Sequence, residues 1–406
     1  MHSYKHLLTL ALIAWLAQTP AVNASKRLDT FLRSVVTAGD VPGVVAMVVD
    51  RSATLYEGAY GKADVARQRP MRTDSIFRIA SMTKPVTSLA AMMLVEQRQL
   101  AVDDPVTKYL PEFSGVQVLT VWHDADATYQ SRPPRRPITV RDLLTHTSGM
   151  AYSFVDQRLS KLDDGRKRVS ELPLISDPGE RFIYGPNTAV LGDIVAKVSG
   201  VRLETFLETR IFQPLGMHDT FFSVPPDKAD RVVTIHTRAA DGTLNEAANP
   251  DELKSPVRGD GGLFSTAADF ARFMQLFINR GGVGSRPLVT EHTIDLMTSN
   301  QIGAIRVAEQ PTTAPTIARP FPLGGGKDTF GFGFQIEERP AGAALRSAGS
   351  LSWGGIFNTH FWIDPHRSIA AVVLMQVLPY YDPQALAVLR GFEHQVYAPP
   401  AIVNDK

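Results

Sequence analysis

The sequence contains no cysteine among its 406 residues. Disulfides, a thiolate nucleophile and a cysteine-ligated metal are therefore excluded, and we expect no lipoprotein anchor. Positive and negative charges are also nearly balanced, with 42 lysine and arginine residues and 41 aspartate and glutamate residues. This balance gives no electrostatic reason to expect nucleic acid or an anionic membrane as a partner.

The apolar run LLTLALIAWLA near the N terminus is too short to span a bilayer. A lysine precedes it, and the small residues Val22 and Ala24 follow it at the positions that a signal peptidase reads. We therefore predict that residues 1–24 are a secretory signal cleaved before Ser25. The mature protein is then expected to be secreted, into the periplasm if the source is Gram-negative, without a stable membrane anchor. The alternative is a buried N-terminal strand or helix.

Residues with strand character lie near both ends of the chain, and helical patterns lie between them. β-Branched and aromatic residues indicate strands at Val44–Val49, Ala53–Tyr60, Phe330–Ile336, Thr359–Pro365 and Ile369–Leu378. The segments ITVRDLLTHTSG, TAVLGDIVAKVSG and TAADFARFMQLFINRGG, and ALAVLRGFEHQVY near the C terminus, have helical spacing. This order predicts one sheet built from both chain ends, with a helical insertion.

A polar step, Ser-Met-Thr-Lys, stands at the head of a long apolar run. Pro85 is tolerated only in a first helical turn, so Ser81 is predicted at a helix N terminus. The spacing of Ser81 and Lys84 then puts both side chains on one helix face, where the amine can remove or tune the serine proton. Taken alone, the motif also fits a helix cap followed by a surface lysine.

A tyrosine stands in the turn RFIYGPN, directly before a helical segment. The phenol of Tyr184 can act as a base if a nearby cation stabilises the phenolate. Asn187 can offer its amide to a substrate carbonyl or to the lysine. The alternative is a packed turn tyrosine followed by an N-capping asparagine.

Two glycines, Gly354 and Gly355, precede a predicted strand in the segment SLSWGGIFNTHFWIDP. Such a pair indicates that another group approaches the backbone closely. A nucleophilic serine needs N–H donors aimed at the developing oxyanion, and the backbone N–H groups of Ser81 and Ile356 are the candidates. The alternative is a simple hairpin turn.

The S-x-x-K step, the tyrosine before VLGDIVAKVSG and the late Gly-Gly pair, in this order, resemble the serine β-lactamase-like hydrolases. This family includes class C β-lactamases, D-aminopeptidases and carboxypeptidases, and family-eight bacterial esterases. The segments ITVRDLLTHTSGM, PGERFIYG, IFQPLGMHDTFF and GDGGLFSTAADFARF are similar as well, so the resemblance covers roughly residues 28 to 395. It implies the α+β fold of β-lactamases and transpeptidases, in which helices flank an antiparallel sheet.

The resemblance also implies the domain organisation. We expect a single catalytic domain over residues 25–398. Its sheet part lies at about 25–102 and 325–398, its helical part lies at about 103–324, and a short tail covers 399–406.

Compared residue by residue with the family, Ser81 resembles the acylated nucleophile. Lys84 resembles the partner that shuttles or tunes its proton, and Tyr184 resembles the general base. Asn187 matches the asparagine of the tyrosine element, but it stands one position later than in β-lactamases. His146, in LLTHTSG, is a second candidate for a catalytic base, but the resemblance implies that its role is structural.

Trp353, Gly354 and Gly355 occupy the place of the family's K-T-G or H-T-G triplet, and Ile356 follows as the oxyanion donor. Lactam-binding members carry a cation and a hydroxyl there, which grip the carboxylate of the substrate. This chain has an indole and a glycine, so a charge-assisted bond of ~1.5–3 kcal/mol is missing. A W-G-G triplet resembles the esterase branch and favours a neutral substrate.

We therefore expect a serine hydrolase that forms an acyl-enzyme, with short neutral esters favoured. A D-amino-acid peptidase or carboxypeptidase, a class C-like β-lactamase and an acyltransferase form the same intermediate and stay as alternatives, as does a non-catalytic penicillin-binding-like protein. No G-x-S-x-G frame and no H-E-x-x-H or H-x-H pair occurs, so an α/β-hydrolase or a metallohydrolase is not favoured. The expected partner is a small ester or amide, no metal or organic cofactor is required, and the sequence does not indicate an oligomeric state.

Overall fold

The computed structural model describes residues 20–247, 253–283, 286–338 and 345–399. Most of the predicted secretory signal, and all but the first residue of the predicted tail, lie outside these ranges. Both stay predictions.

The described part of the chain consists of helices and strands joined by turns and by loops of different lengths. The helices are α1 (Pro20–Thr37), α2 (Thr83–Glu96), α3 (Val140–Leu144), α4 (Gln157–Leu162), α5 (Asn187–Ser199), α6 (Leu203–Leu207), α7 (Gln213–Leu215), α8 (Ala267–Ile278), α9 (Glu291–Thr298) and α10 (Pro383–Tyr397). The strands are β1 (Gly43–Val49), β2 (Thr54–Asp64), β3 (Arg69–Pro70), β4 (Phe77–Arg78), β5 (Val118–His123), β6 (Thr128–Arg132), β7 (His236–Arg238), β8 (Leu244–Glu246), β9 (Phe264–Ser265), β10 (Gly282–Val283), β11 (Arg286–Pro287), β12 (Thr329–Phe330), β13 (Gln335–Ile336), β14 (Leu351–Gly355), β15 (Thr359–Asp364), β16 (Ile369–Leu374) and β17 (Val377–Leu378).

The main sheet has eight strands in the order β12–β13–β14–β15–β16–β1–β2–β3. Each neighbouring pair in it is antiparallel. Three of its strands come from the N-terminal part of the chain and five from the C-terminal part. The predicted antiparallel sheet, built from both chain ends, is confirmed.

The central strand β1 is buried along its whole length. Its odd-numbered residues from Val45 to Val49 join the core that contains Val86 of α2 and the phenylalanines of α8, while its even-numbered residues face the core formed with α1 and α10. Because helices cover both faces, the strand has the continuous apolar sequence GVVAMVV rather than an alternating one.

The helix predictions hold, and two strand predictions are wrong in extent. The four predicted helical segments form α3, α5, α8 and α10. The predicted strand Phe330–Ile336 is instead the pair β12 and β13, because Gly333 turns the chain with a φ of +100°. The predicted strand Ile369–Leu378 ends at Leu374, and β17 leaves the main sheet to pair with β7.

Candidate active site

Ser81 lies in the turn that leads into helix α2. A 3₁₀ turn over Ala80–Met82 continues directly into the helix. Ala80 has a left-handed φ of +45°, which is costly for a residue with a Cβ. Just ahead of it, the Ile79 N–H donates to the Leu263 carbonyl over 3.0 Å. The helix start predicted for Ser81 is therefore present, and the backbone in front of it is held in a constrained conformation.

Strand β14 runs beside this turn, and its glycines allow the close approach. A Cβ at Gly355 would lie 2.2 Å from the Ile79 carbonyl oxygen. A Cβ at Gly354 would lie 2.6 Å from the hydroxyl oxygen of Tyr380. Neither position has room for a larger residue, so the predicted close approach at the Gly-Gly pair is confirmed.

Lys84 is buried one helical turn after Ser81, with 2% of its surface exposed. Its Nζ donates to Ser81 Oγ over 3.1 Å and to the backbone carbonyl of Asp260 over 2.7 Å. A surface lysine is thereby excluded, and the two side chains share one helix face as their spacing predicts.

Tyr184 reaches Ser81 from the turn before α5. Its hydroxyl donates to Ser81 Oγ over 2.6 Å, and Lys84 Nζ lies 4.7 Å from the centre of its ring. The Tyr184 N–H donates to the side chain of Gln310 over 2.9 Å, and Phe321 packs edge-on against the ring. The structure therefore brings Tyr184 to Ser81 and Lys84, although it lies 103 positions after Ser81 in the sequence.

An apolar pocket opens at Ser81. It is lined by Ser81, Phe154, Tyr184, Ala318, Phe321, Trp353, Gly354, Ile356 and Tyr380. These lining residues carry no cationic side chain. The indole of Trp353 is 8% exposed and packs against Tyr184 with ring centres 5.4 Å apart. Trp353, Gly354 and Ile356 therefore lie at the pocket as predicted, while Gly355 contacts the backbone next to it.

The structure corrects the substrate-binding role predicted for Asn187. This residue is fully buried at the start of α5. Its amide oxygen accepts a hydrogen bond from the Ser148 hydroxyl, and its Nδ2 lies 2.9 Å from Nδ1 of His146. Both ends of the amide are used inside the protein, so the Asn187 side chain is not available to a substrate.

His146 lies behind the pocket, with its ring centre 5.2 Å from that of Tyr184. Burial and the positive charge of Lys84 hold the pKa of His146 well below its ordinary value. The ring is therefore neutral, and its Nδ1 is engaged by Asn187. This environment favours the structural role over that of a base acting on Ser81.

A second polar group lies on the other side of Lys84, and sequence reasoning missed it. The Tyr152 hydroxyl donates to Asp260 Oδ2 over 2.5 Å, and Arg258 pairs with the same carboxylate at 2.7 Å. Burial acts to raise the pKa of Asp260, but the charge of Lys84 and the bonds from Arg258 outweigh it and hold this pKa below its ordinary value. The segment GDGG contains Asp260, but nothing local in the sequence predicts which side chains meet its carboxylate.

Comparison with known proteins identifies the family. The family model described as Beta-lactamase matches residues 28–392. The chain belongs to the Beta-lactamase family. Monacolin J acid methylbutanoyltransferase from Aspergillus terreus is 30% identical to this chain, over 91% of this chain and 95% of its own length. Esterase EstB from Burkholderia gladioli is 29% identical, over 93% of this chain and 96% of its own length.

Solved structures of the Beta-lactamase family agree with the fold described above. Unliganded simvastatin synthase (LovD) from Aspergillus terreus superposes with a TM-score of 0.78 at 27% identity, covering 92% of this chain and 98% of that one. The predicted β-lactamase and transpeptidase-like fold is therefore confirmed. The relatives include both esterases and acyltransferases, which places this chain among serine hydrolases and acyltransferases.

Proposed function

We propose that this protein is a carboxylesterase that forms an acyl-enzyme on Ser81 and hydrolyses short neutral esters. The observation that carries the proposal is the double contact on Ser81 Oγ, made by Lys84 Nζ at 3.1 Å and by the Tyr184 hydroxyl at 2.6 Å. A serine is a poor nucleophile until a base removes its proton. Here a phenol is in place as that base, and an ammonium beside the ring stabilises the phenolate.

In the first half of the reaction, ionised Tyr184 accepts the Ser81 proton, and the hydrogen bond between them reverses direction. Ser81 Oγ then attacks the ester carbonyl. The N–H groups of Ser81 and Ile356 hold the oxyanion of the tetrahedral intermediate. Tyr184 gives its proton to the departing alcohol, which leaves the acyl group on Ser81.

In the second half, water takes the place of the alcohol. Tyr184 removes a proton from this water as it attacks the acyl carbon, and the acid is released when Ser81 Oγ departs and regains its proton. The scheme uses no metal or organic cofactor. Over the described ranges of the chain, no cluster of three or more histidine, aspartate or glutamate side chains is arranged to hold a metal ion.

The lining of the pocket supports a neutral substrate. β-Lactams and D-peptides carry a carboxylate near the scissile bond, and a charge-assisted bond to such a group is worth ~1.5–3 kcal/mol. The described lining offers aromatic and aliphatic side chains instead. We therefore expect recognition of these substrates to be about tenfold to a hundredfold weaker than with a cation in the pocket.

Acyl transfer to an alcohol is the second candidate. Monacolin J acid methylbutanoyltransferase is 30% identical to this chain, and an apolar pocket favours an organic alcohol over water as the acceptor of the acyl group. Both candidates share the first half of the reaction and differ only in the second.

The cellular location belongs to the same proposal. The order of charge, apolar run and small residues in residues 1–24 supports secretion. No helix in the part of the chain that the structure describes is long and apolar enough to cross a membrane. We propose a secreted enzyme whose partner is a small ester or amide.

A substrate panel tests the proposal. We expect the wild type to hydrolyse p-nitrophenyl acetate and butyrate much faster than nitrocefin or a D-Ala-D-Ala peptide, and Ser81→Ala to abolish turnover. Turnover by Ser81→Ala would reject the acyl-enzyme, and a preference for nitrocefin would reject the ester assignment. Adding an alcohol and measuring the ratio of new ester to free acid decides between hydrolysis and transfer. An adduct that never deacylates would instead identify a binding protein.

A further inference from the structure

Lys84 contacts two tyrosines, and the mechanism above uses only one of them. Its Nζ lies 4.7 Å from the ring centre of Tyr184 and 5.4 Å from that of Tyr152. The two phenol rings meet edge to face, with centres 5.2 Å apart. Their hydroxyls point to different partners, because Tyr184 donates to Ser81 and Tyr152 donates to Asp260.

Hydrogen bonds from two side chains hold the carboxylate of Asp260 in place. Its carboxylate, in a residue that is 5% exposed, accepts the Tyr152 hydroxyl at 2.5 Å. Arg258 donates to both carboxylate oxygens, from Nε over 2.9 Å and from Nη2 over 2.7 Å. The backbone beside it is fixed as well, since a Cβ at Gly259 would lie 2.2 Å from the Thr188 carbonyl oxygen.

The backbone carbonyl of Asp260 is the second acceptor of the Lys84 ammonium, at 2.7 Å. Bonds to the Asp260 side chain therefore set the position of the oxygen that holds Lys84. We propose that Tyr152 is a positioning residue, which acts through Asp260, together with Arg258, to hold Lys84 against Ser81. This inference rests on the proposed acyl-enzyme chemistry and adds a residue that its steps do not require.

Tyr152 is suited to this role because its hydroxyl is a fixed donor. Burial, followed by the negative charge of Asp260, holds the pKa of Tyr152 well above its ordinary value. The phenol stays protonated, so it keeps its bond to the carboxylate and does not compete for the Ser81 proton. Of the two tyrosines at Lys84, Tyr184 is thereby the one left to accept that proton.

The charges that face Asp260 come from several segments of the chain. Lys84 and Arg258 are the cations that lower its pKa, and His146 is neutral at this site because burial lowers its pKa. Asp193 faces the same carboxylate, and burial and the charges of Glu112 and Asp260 raise its own pKa. The carboxylate of Asp260 therefore lies between the cations Lys84 and Arg258 and near Asp193, an acid whose pKa is raised.

The first test replaces Tyr152 with phenylalanine, which keeps the ring and removes only the hydroxyl. We expect kcat for a p-nitrophenyl ester, and the rate at which a fluorophosphonate labels Ser81, to fall about tenfold to a hundredfold, since small displacements of catalytic groups have effects of this size. KM should change less than about threefold, because the ring that stacks on Phe154 of the pocket lining stays in place.

A matched control is available elsewhere in the chain. The Tyr109 hydroxyl donates to Asp104 Oδ2, also over 2.5 Å and also from a partly buried tyrosine. Tyr109→Phe removes the same kind of bond away from the pocket, and we expect it to leave kcat and the labelling rate unchanged. The melting temperatures of the two variants should be similar, which separates positioning from general loss of stability.

The second test is the pH profile of Asp260→Asn. Removing a negative charge lets neighbouring groups lose their protons more readily. The acid limb of kcat/KM should therefore move to lower pH by about one unit, while kcat at the plateau falls. A side chain that only supported the fold would change the amount of folded protein and leave the midpoint of this limb unmoved.

The outcomes separate this inference from the proposed function. If the wild type is labelled on Ser81 and Tyr152→Phe is labelled at the same rate, the positioning role is overturned. An unmoved acid limb in Asp260→Asn overturns it as well. If Ser81 of the wild type is not labelled at all, the proposed function has failed, and the positioning role fails with it.

Discussion

The two walls of the pocket differ in how they are built. On one wall, Ser81, Lys84 and Tyr184 are joined by hydrogen bonds of 2.6 and 3.1 Å that converge on one oxygen. The opposite wall, which includes Trp353 and Tyr380, presents aromatic surface and a glycine-bearing strand. In the proposed mechanism, the first wall supplies the groups that form the acyl-enzyme. We propose that the second wall selects the acyl compound.

The proposed division between the walls is consistent with relatives that carry the names of different activities, an esterase and an acyltransferase. Acyl transfer, ester hydrolysis and lactam hydrolysis share the acyl-enzyme, so the hydrogen-bonded wall need not change among them. A cation on the other wall would favour a carboxylate-bearing substrate, and an indole favours a neutral one. The two walls can therefore be tested separately.

The largest effect should come from removing Tyr184, the proposed base on the hydrogen-bonded wall. Tyr184→Phe keeps the ring that packs on Phe321 and Trp353 but removes the oxygen that faces Ser81. Because general base catalysis contributes about 10²–10⁴-fold, kcat for p-nitrophenyl acetate should fall by that factor. Steady-state kinetics measures the loss, and the circular dichroism spectrum should match that of the wild type. Wild-type kcat in this variant would show that another group accepts the proton.

The second effect is on stability and kcat, and it is expected from a substitution at Gly355 that pushes strand β14 away from the serine turn. A Cβ at Gly355 would meet the Ile79 carbonyl oxygen at 2.2 Å, so Gly355→Ala must displace the turn that carries Ser81. We expect a loss of about 1–3 kcal/mol in the free energy of unfolding, as for other overpacked sites, together with a fall in kcat. Urea denaturation and ester kinetics measure both.

Gly115→Ala is the control for this substitution, because nothing lies within 4 Å of a Cβ at that position. It should change neither stability nor kcat appreciably. If Gly355→Ala behaved like Gly115→Ala, the close contact between β14 and the serine turn would be wrong.

A smaller effect is expected when the aromatic wall receives a cation. Trp353→Lys should move the ratio of kcat/KM for nitrocefin to that for p-nitrophenyl acetate upward by about tenfold, since a charge-assisted bond to the lactam carboxylate becomes available. The ratio is independent of the amount of folded protein. Trp122→Lys, on the hairpin of β5 and β6, should leave it unchanged. An unchanged ratio for Trp353→Lys would mean that this position does not face the substrate carboxylate.

The last effect concerns pH and the support behind the aromatic wall, and it bears on stability rather than on activity. A Cβ at Gly354 would lie 2.8 Å from Nδ1 of His360, and burial together with the charge of Arg346 lowers the pKa of His360 to about 3. This value is below the 6.5 expected in the unfolded chain. The stabilisation that comes from neutral His360 is therefore fully present above pH 6.5, and it is lost as the pH falls toward 3.

At pH 4.5, this histidine should account for a loss of roughly 1–3 kcal/mol relative to pH 7.5. Urea denaturation at the two pH values measures the difference, and His360→Gln should reduce it. An equal loss in the variant would show that other groups cause the acid sensitivity.

Much of this organisation can be predicted from sequence, because its signals are local. The apolar strand at Val44–Val49, the helical spacing after Tyr184 and the Gly-Gly pair each reflect a backbone requirement that a short segment reveals. The order of three motifs then gives the family, and with it the pairing of distant strands. Hydrophobic periodicity alone would not give the strand order.

The remaining features depend on contacts that no local pattern shows. The segment FGFGFQI has the composition of one strand, but Gly333 turns it into a hairpin. Asn187 has the residue type of a substrate ligand, but the folded chain buries it against Ser148 and His146. Tyr152 lies far from Asp260 in sequence, so only the folded chain shows that they meet.

Mass spectrometry after treatment with a fluorophosphonate tests most directly whether Ser81 is the nucleophile. One covalent adduct per chain is expected on the peptide that contains Ser81, formed quickly in the wild type, slowly in Tyr184→Phe and not at all in Ser81→Ala. An adduct on a different residue, or labelling of Ser81→Ala at the wild-type rate, would contradict the assignment of Ser81.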